Sequence, residues 1–384
     1  MAQDLQPRRA RASLPALTWQ HLANDTLANY LPGILPALAA EGVPVLLLGS
    51  LQTALVLGQL LQPLTGIMAD RRGGRAFIVV GPLIAAASVL GVAFTRTYPL
   101  LLAFAFIAGI GSTIFHPQAL STVRSLVAGR KGTIMSLFLI GGEFGRAVGP
   151  LIAGALVAFR GMSALAVMAA LAIVGLPWLL AVLPKAEPRP RESAPLRLRE
   201  HLWSTVQLLN FTSFRAGAVY GVSVLLPVFW RLHGGSLVAA DSLVTVLIGL
   251  GVVGNLSGGV LADRIGPRAV LWGTTILGVV LTAVLTRTEG LWIWPVMGLL
   301  GMALFSSSPV TMLLGQDIFA ENPGLGSGIA LGAGNALGAL LLLFVSYVAD
   351  HMGLTDALWV VAGFLVISMT AIPRLAPRFT RREA

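Results

Sequence analysis

Ionisable side chains inside apolar stretches are the residues of this sequence best suited to chemistry. The first long apolar stretch contains His21, Asn24 and Asp25, and a spacing of four places His21 and Asp25 on one face of a helix. Glu143 and Arg146, three residues apart in a later stretch, can pair in the same way. A charged group at the centre of a membrane helix costs about 2.5–3.5 kcal/mol on insertion scales, so each is a candidate functional residue. These pairs predict proton exchange, because a carboxylate beside a cationic group can switch its charge.

Two further positions extend this set. His116 precedes Pro117, which frees a backbone carbonyl within a helix, and Arg215 has no obvious partner on its own helix, which favours contact with an anion. The residues predicted to exchange protons are Asp25, Glu143, His21 and His116. The residues predicted to contact a small substrate are Asn24, Tyr30, Phe115, His116, Phe144, Arg146, Arg215 and Ser308.

Each of these residues also has a purely structural interpretation. His21 could bond Asp25 to hold its helix against a neighbour, and His116 could satisfy the carbonyl that Pro117 frees. Glu143 and Arg146 could form a permanent ion pair with only a structural role. The sequence leaves these alternatives open.

The composition identifies the environment in which these residues must work. The chain has 384 residues, 56% hydrophobic and 11% charged, whereas soluble proteins carry about 25% charged residues. This composition indicates an integral membrane protein and argues against a soluble enzyme or a nucleic-acid-binding protein, despite a net charge of +10. The absence of cysteine excludes disulfides and thiolate metal sites. We expect no metal and no cofactor.

Apolar runs of about 20 residues predict an all-α protein with twelve transmembrane helices. The predicted spans are 15–40, 43–69, 75–95, 98–125, 131–158, 161–183, 201–231, 236–262, 268–287, 290–319, 323–349 and 354–376. Most of the 26 Lys and Arg residues fall at the termini and in the even-numbered loops, which predicts that both termini face the cytoplasm. The Pro-rich, charged segment 184–200 is predicted to link two six-helix halves, 1–183 and 201–384.

A repeated loop supports this division. Gly66-Ile-Met-Ala-Asp70-Arg71-Arg-Gly73-Gly-Arg75 and Gly259-Val-Leu-Ala-Asp263-Arg264-Ile-Gly266-Pro-Arg268 share the pattern G-x-x-A-D-R-x-G-x-R about half the chain length apart. A carboxylate at a helix end can bind another helix terminus, and glycine allows backbones to approach closely. The residues of these loops predicted to act in a conformational switch are Gly66, Asp70, Arg71, Gly73, Arg75, Gly259, Asp263, Arg264, Gly266 and Arg268. By the same repeat, Ser308-Pro309 lies almost where His116-Pro117 lies in the first half.

The paired loops resemble the signature loop of the major facilitator superfamily. Gly145-Arg-Ala-Val-Gly149-Pro150-Leu-Ile-Ala153-Gly154 resembles the antiporter motif GxxxGPxxGG, with Ala153 in place of one glycine, and adds Gly145, Gly149 and Pro150 to the predicted switch residues. The strings His21-Leu-Ala-Asn24-Asp25 and Phe115-His116-Pro117 resemble the bacterial fosmidomycin-resistance branch. This resemblance implies the major facilitator fold, with two six-helix halves around a central cavity.

The residues and the resemblance together predict a secondary transporter. We expect proton-coupled antiport that exports a small organic molecule, such as a fosmidomycin-like drug or an anionic metabolite, by alternating access. The alternatives are a proton symporter importing a small anion or sugar, and a non-transporting sensor on the same fold. The expected partners are the substrate, protons and the lipid bilayer, without nucleic acid. The protein is expected to be monomeric, in the bacterial inner membrane.

Overall fold

The computed structural model describes residues 2–62, 64–65, 75–125, 131–183, 199–319 and 323–375, and it describes the side chains of these residues except those of 2–12, 120–121, 124–125, 131–137, 323–324 and 327. Within these residues the secondary structure is helical. The α-helices are α1 Ala2–Ala28, α2 Leu35–Ala40, α3 Val45–Gln59, α4 Arg75–Phe94, α5 Tyr98–Ser125, α6 Lys131–Arg160, α7 Ala170–Val174, α8 Leu176–Val182, α9 Leu202–Leu232, α10 Leu237–Ile265, α11 Pro267–Leu285, α12 Ile293–Ser306, α13 Ser308–Ile318, α14 Pro323–Gly328, α15 Gly334–Met352, α16 Leu354–Met369 and α17 Ile372–Leu375. Short 3-10 helices cover Leu31–Gly33, Met162–Ala169 and Gly290–Trp292, and a π-helix covers Ile329–Ala333.

In the described part of the chain, ten helical segments are long and apolar enough to cross a membrane. Two shorter apolar segments, Leu31–Ala40 and Val45–Gln59, fall within the first two predicted spans. The twelve-span prediction is therefore consistent with the structure. The chain is a multi-pass membrane protein.

Several spans predicted as continuous helices are interrupted. The first breaks after Ala28, where Pro32 and Pro36 each remove a backbone donor and where Leu31–Gly33 form a 3-10 turn. The tenth breaks at Ser307, between α12 and α13, two residues before Pro309. Hydropathy detects the apolar length of a span but not these local changes of backbone.

The described helices form two compact units. Unit 1 contains Met1–Ile34 and Ala54–Glu192, and unit 2 contains Leu35–Thr53 and Ser193–Ala384. The predicted boundary at 184–200 lies between the later parts of these units, and its residues 184–198 lie outside the described residues. The segment 35–53, assigned from the sequence to the N-terminal half, packs with unit 2. The division into domains 1–183 and 201–384 stays a prediction.

Unit 1 brings α1 and α6 into close contact through glycines. The α-carbon of Gly145 faces the carbonyl oxygen of Leu22, and that of Gly149 faces the carbonyl oxygen of Thr26. A β-carbon at Gly142 would overlap the imidazole ring of His21. These glycines therefore set the distance at which α6 side chains meet α1.

The second copy of the repeated loop is a helix–glycine–helix turn. Gly266 has φ of +87°, a conformation that favours glycine, and it ends α10 while Pro267 begins α11. Asp263 and Arg264 lie in the last turn of α10 and not in a loop. In the first copy, Gly66, Asp70, Arg71 and Gly73 lie outside the described residues, whereas Arg75 begins α4 and donates to the carbonyl oxygen of Leu180 at 2.8 Å.

Candidate functional site

Asp25 in α1 is the centre of a buried polar cluster in unit 1, and its side chain is 1% exposed. His116 Nε2 lies 3.1 Å from its Oδ1 atom, and His21 Nε2 lies 3.6 Å from its Oδ2 atom. Arg146 Nη2 lies 3.4 Å from Oδ2, and Asn24 donates from Nδ2 to Oδ1 at 3.0 Å. Three helices, α1, α5 and α6, therefore direct polar groups at one carboxylate.

Both imidazole rings are held in one orientation. His21 Nδ1 lies 2.9 Å from the carbonyl oxygen of Phe138, and His116 Nδ1 lies 2.8 Å from the carbonyl oxygen of Ser112. A carbonyl oxygen only accepts hydrogen bonds, so Nδ1 carries the hydrogen in each ring. In both histidines Nε2 is then the atom that gains or loses a proton, and both Nε2 atoms face Asp25.

Aromatic side chains fix the His21 ring further. It stacks on Phe138 with ring centroids 4.2 Å apart, and Phe115 lies 5.6 Å away. Phe115 is fully buried, and its ring lies against those of His21, His116 and Phe138. The predicted substrate contact of Phe115 remains untested.

Arg146 connects the buried carboxylate to a more exposed one. Its Nη1 atom lies 3.6 Å from Glu143 Oε2, and its Nη2 atom is the one near Asp25. Exposure of the side chain rises from 1% at Asp25 to 20% at Glu143 and 34% at Arg146. The pairing expected from the i, i+3 spacing is present, and it includes Asp25 as a third member.

The carbonyl freed by Pro117 has a partner other than His116. Proline removes the donor that would bond the carbonyl four residues earlier, which belongs to Thr113. Thr65 Oγ1 donates to that oxygen at 3.0 Å. The structural role considered for His116 is therefore taken by Thr65, which leaves His116 Nε2 for Asp25.

The remaining unit 1 candidates lie in different surroundings. Tyr30 is fully buried, and its hydroxyl has no hydrogen-bond partner among the described residues. Phe144 is 56% exposed. Neither residue contacts the Asp25 cluster through a hydrogen bond in the described part of the chain.

Arg215 forms a separate site in unit 2. Its side chain is buried, and Nη1 donates to the carbonyl oxygen of Leu304 at 3.2 Å and to Ser308 Oγ at 3.1 Å. Its Nε atom lacks a partner, and no acidic residue pairs with it, within the ranges that the structure describes. The break between α12 and α13 supplies both acceptors, so two predicted substrate residues, Arg215 and Ser308, do meet.

Three of the unit 1 residues could also hold a metal ion. His21, Asp25 and His116 each offer one ligand atom, and these atoms lie within 4.8 Å of one another. The guanidinium of Arg146 already supplies a cation 3.4 Å from Asp25, which disfavours a second one. The absence of a metal stays a prediction.

Two acidic residues were not identified from the sequence. Asp241 in α10 is completely buried, and Asp350 at the end of α15 accepts from the backbone N–H groups of Val45 at 2.8 Å and Leu46 at 2.6 Å. Both lie near the end of a predicted span, where an acidic residue is ordinarily solvated. Only the packing of neighbouring helices distinguishes Asp241 and Asp350 from ordinary solvated acidic residues at helix ends.

Comparison with known proteins agrees with this architecture. The model of the Major Facilitator Superfamily matches residues 21–341. The chain belongs to this superfamily. Its fold is therefore the major facilitator fold, as the repeated loops predicted, and the chain is a transporter by family.

Two relatives align with nearly the whole length of this chain. It is 27% identical to the Fosmidomycin resistance protein of Escherichia coli (strain K12), with 93% of this chain and 91% of that protein covered. It is also 27% identical to the uncharacterized MFS-type transporter YfnC of Bacillus subtilis (strain 168), with 91% and 90% covered. The resemblance to the fosmidomycin-resistance branch is confirmed at this modest identity.

Solved structures share the fold at lower identity. A point mutant of the nucleoside transporter NupG aligns with a TM-score of 0.77 and 14% identity over 94% of this chain and 100% of that chain. An inward-facing, unoccupied bacterial homolog of the human lysosomal transporter Spinster aligns with a TM-score of 0.77 and 16% identity over 97% and 98%. At these identities the likeness concerns the fold alone.

Proposed function

We propose that this transporter is a proton-coupled antiporter that exports a small organic molecule by alternating access. The observation that carries the proposal is the buried Asp25 carboxylate, faced by two imidazole Nε2 atoms and one guanidinium. Such a carboxylate can exist charged, balanced by Arg146, or neutral after it accepts a proton through a histidine. The two states present different charges to the same surroundings.

Proton entry to Asp25 runs through His116 in this proposal. His116 Nε2 lies within hydrogen-bond distance of Asp25 and its side chain is 19% exposed, whereas His21 is 4% exposed. Nε2 accepts the proton and passes it to Asp25 Oδ1, while Nδ1 stays bonded to Ser112. His21 then orients the carboxylate from the other side.

Arg215 is the proposed contact for the cargo. A buried guanidinium whose Nε has no partner in the described part of the chain has donors to spare for an acidic group, and guanidinium geometry suits carboxylate and phosphonate oxygens. The 27% identical fosmidomycin-resistance relative supports a drug-like phosphonate as the first compound to test. On this proposal the protein lies in a bacterial inner membrane as a monomer, with both termini in the cytoplasm.

One observation favours symport as a second candidate function. Arg146 lies between Asp25 and Glu143, at 3.4 and 3.6 Å. An anionic cargo that captured Arg146 would leave Asp25 without its cation and so promote protonation of Asp25. Proton and anion would then bind together, as a symporter requires, whereas cargo held at Arg215 leaves Arg146 with Asp25.

The direction of coupled movement separates the two candidates. Inside-out vesicles with an imposed proton gradient and an internal pH dye receive fosmidomycin, then other organic acids, lipophilic cations and sugars. Antiport predicts that an added substrate releases protons from the vesicle interior, and symport predicts the opposite sign. No proton movement with any compound, in vesicles shown to hold the protein and the gradient, would contradict proton coupling.

A further inference from the structure

Asp241 is a second buried carboxyl group. Unlike Asp25, it has no hydrogen-bond or ion-pair partner in the described structure. It is 0% exposed, and both Oδ1 and Oδ2 lack a hydrogen-bond partner among the described residues. It does not cap its helix, since Ser236 does so by accepting from the backbone N–H of Ala239. The Asp241 carboxyl group therefore makes no hydrogen bond to α10 or to another helix in the described structure.

Neighbouring polar groups are satisfied without Asp241. Ser242 accepts from Trp294 Nε1 at 2.7 Å and donates to the carbonyl oxygen of Ala239 at 2.7 Å. Trp294 in turn packs edge-to-face on Trp230, with ring centroids 5.0 Å apart. The helix end around Asp241 is thus well ordered by other contacts.

No charged residue balances Asp241 in the described structure. Of the helices that pack on α10, α2 and α12 contain no ionisable residue. The others contribute Arg215, Tyr220, Arg231, Arg268 and Asp317. None of these forms an ion pair with Asp241 within the described ranges.

Two of these cations donate to other groups. Arg215 donates to Leu304 and Ser308, and Arg231 donates to the carbonyl oxygen of Gly235 at 3.3 Å. Arg268 follows the opposite end of α10, about 36 Å away at 1.5 Å per residue. An ionised carboxylate buried without a partner is strongly disfavoured, and a bound proton removes its charge.

We propose that Asp241 is a second proton-carrying residue of the transport cycle, loaded in unit 2 independently of the Asp25 cluster in unit 1. This inference rests on the proton coupling proposed above. Asp241 lies on the second turn of α10, close to the 233–236 connection, which the proposed orientation places on the outer side. Protons that drive export enter from that side. Asp241 therefore binds a proton that comes from the external solution.

The first test asks whether Asp241 holds a proton. Infrared difference spectra of the purified full-length protein report the C=O stretch of protonated carboxyl groups, which ionised carboxylates lack. We expect this band at neutral pH in the wild type, its loss in D241N and its retention in D25N. The matched control is D356N, which removes an exposed aspartate. An unchanged band in D241N would overturn the proposal.

The second test asks whether that proton takes part in the cycle. The chain has no cysteine, so spin labels attach only to cysteines that are introduced. Labels at Thr97→Cys in unit 1 and Glu289→Cys in unit 2 therefore report the distance between these two positions. We expect acid pH to shift this distance in the wild type, and D241N to stay near the acid value with most of the pH response lost. A D241N protein with the full wild-type response would show that the buried acid is only structural.

The two proposals fail in different ways. A wild type with neither pH-dependent distances nor proton movement contradicts proton coupling itself. A wild type with both, together with an unaffected D241N variant, contradicts only the role of Asp241. If D241N proved unstable, D241E would keep the carboxyl group and is expected to restore both the infrared band and the pH response.

Discussion

At the scale of single residues, His116 and His21 present the same atom to Asp25 but in unequal settings. His116 Nε2 is nearer, at 3.1 Å against 3.6 Å, and its side chain is the more exposed. His21 is stacked on Phe138 and buried. We infer that His116 conducts the proton and that His21 fixes the carboxylate.

These roles predict different consequences for the two histidines. H116Q is expected to slow proton-driven transport by at least about tenfold, because it removes a group that transfers protons, while thermal stability changes little. H21Q is expected to lower thermal stability more, because it removes a buried stacked ring. Initial rates in vesicles and melting curves of the same preparations measure both effects. Equal rates for H116Q and wild type would contradict the relay.

The sequence could identify part of this cluster and not the rest. Spacing along one helix correctly paired His21 with Asp25 and Glu143 with Arg146. Contacts between helices, such as that of His116 with Asp25, depend on how α1, α5 and α6 pack. The spacing of residues along a single helix does not predict this packing. Asp241 was missed because it lies near a predicted span boundary, where burial is invisible without the neighbouring helices.

At the scale of elements, the packing of α6 on α1 sets the geometry of the cluster. Gly142 lies against the His21 ring, and a β-carbon there would overlap it. Gly249 in α10, in contrast, has no packing neighbour in the described structure, apart from the backbone of its own helix, within 4 Å of the position a β-carbon would occupy. The two glycines therefore separate steric displacement of the site from the general effect of alanine in a helix.

We predict that G142A impairs proton-driven transport and that G249A does not. G142A must shift His21 or separate α6 from α1, whereas G249A is expected to gain about 0.5–1 kcal/mol from helix propensity. Transport rates and melting temperatures of both variants provide the measurement. Normal transport by a folded G142A protein would show that the position of His21 is unimportant.

Asp350 offers a second element-scale prediction, within unit 2. Its two oxygens accept from the first two N–H groups of α3, an arrangement equivalent to a helix N-cap. D350A is expected to destabilise the protein by about 1 kcal/mol, and the exposed control E289A is expected to have little effect. Chemical denaturation in matched detergent distinguishes the two. Equal stability of D350A and E289A would contradict the capping role.

At the scale of the whole molecule, the sequence predicted the class and fold because both depend on long-range patterns. The apolar runs, the distribution of arginine and the duplicated loop can be recognised even where a helix is locally interrupted. The superfamily match confirms the fold that they predict. Breaks such as those at Leu31–Gly33 and Ser307 were not predicted, since they depend on local backbone geometry. The packing of 35–53 with unit 2 likewise requires the folded chain.

The most direct test of proton coupling compares two transport modes of D25N in proteoliposomes. One mode is uphill movement of the identified cargo driven by a pH gradient, and the other is exchange of labelled for unlabelled cargo without a gradient. If Asp25 carries the coupling proton, D25N loses the driven mode and keeps exchange, while D356N keeps both. Uphill transport by D25N at the wild-type rate would contradict the central role of Asp25.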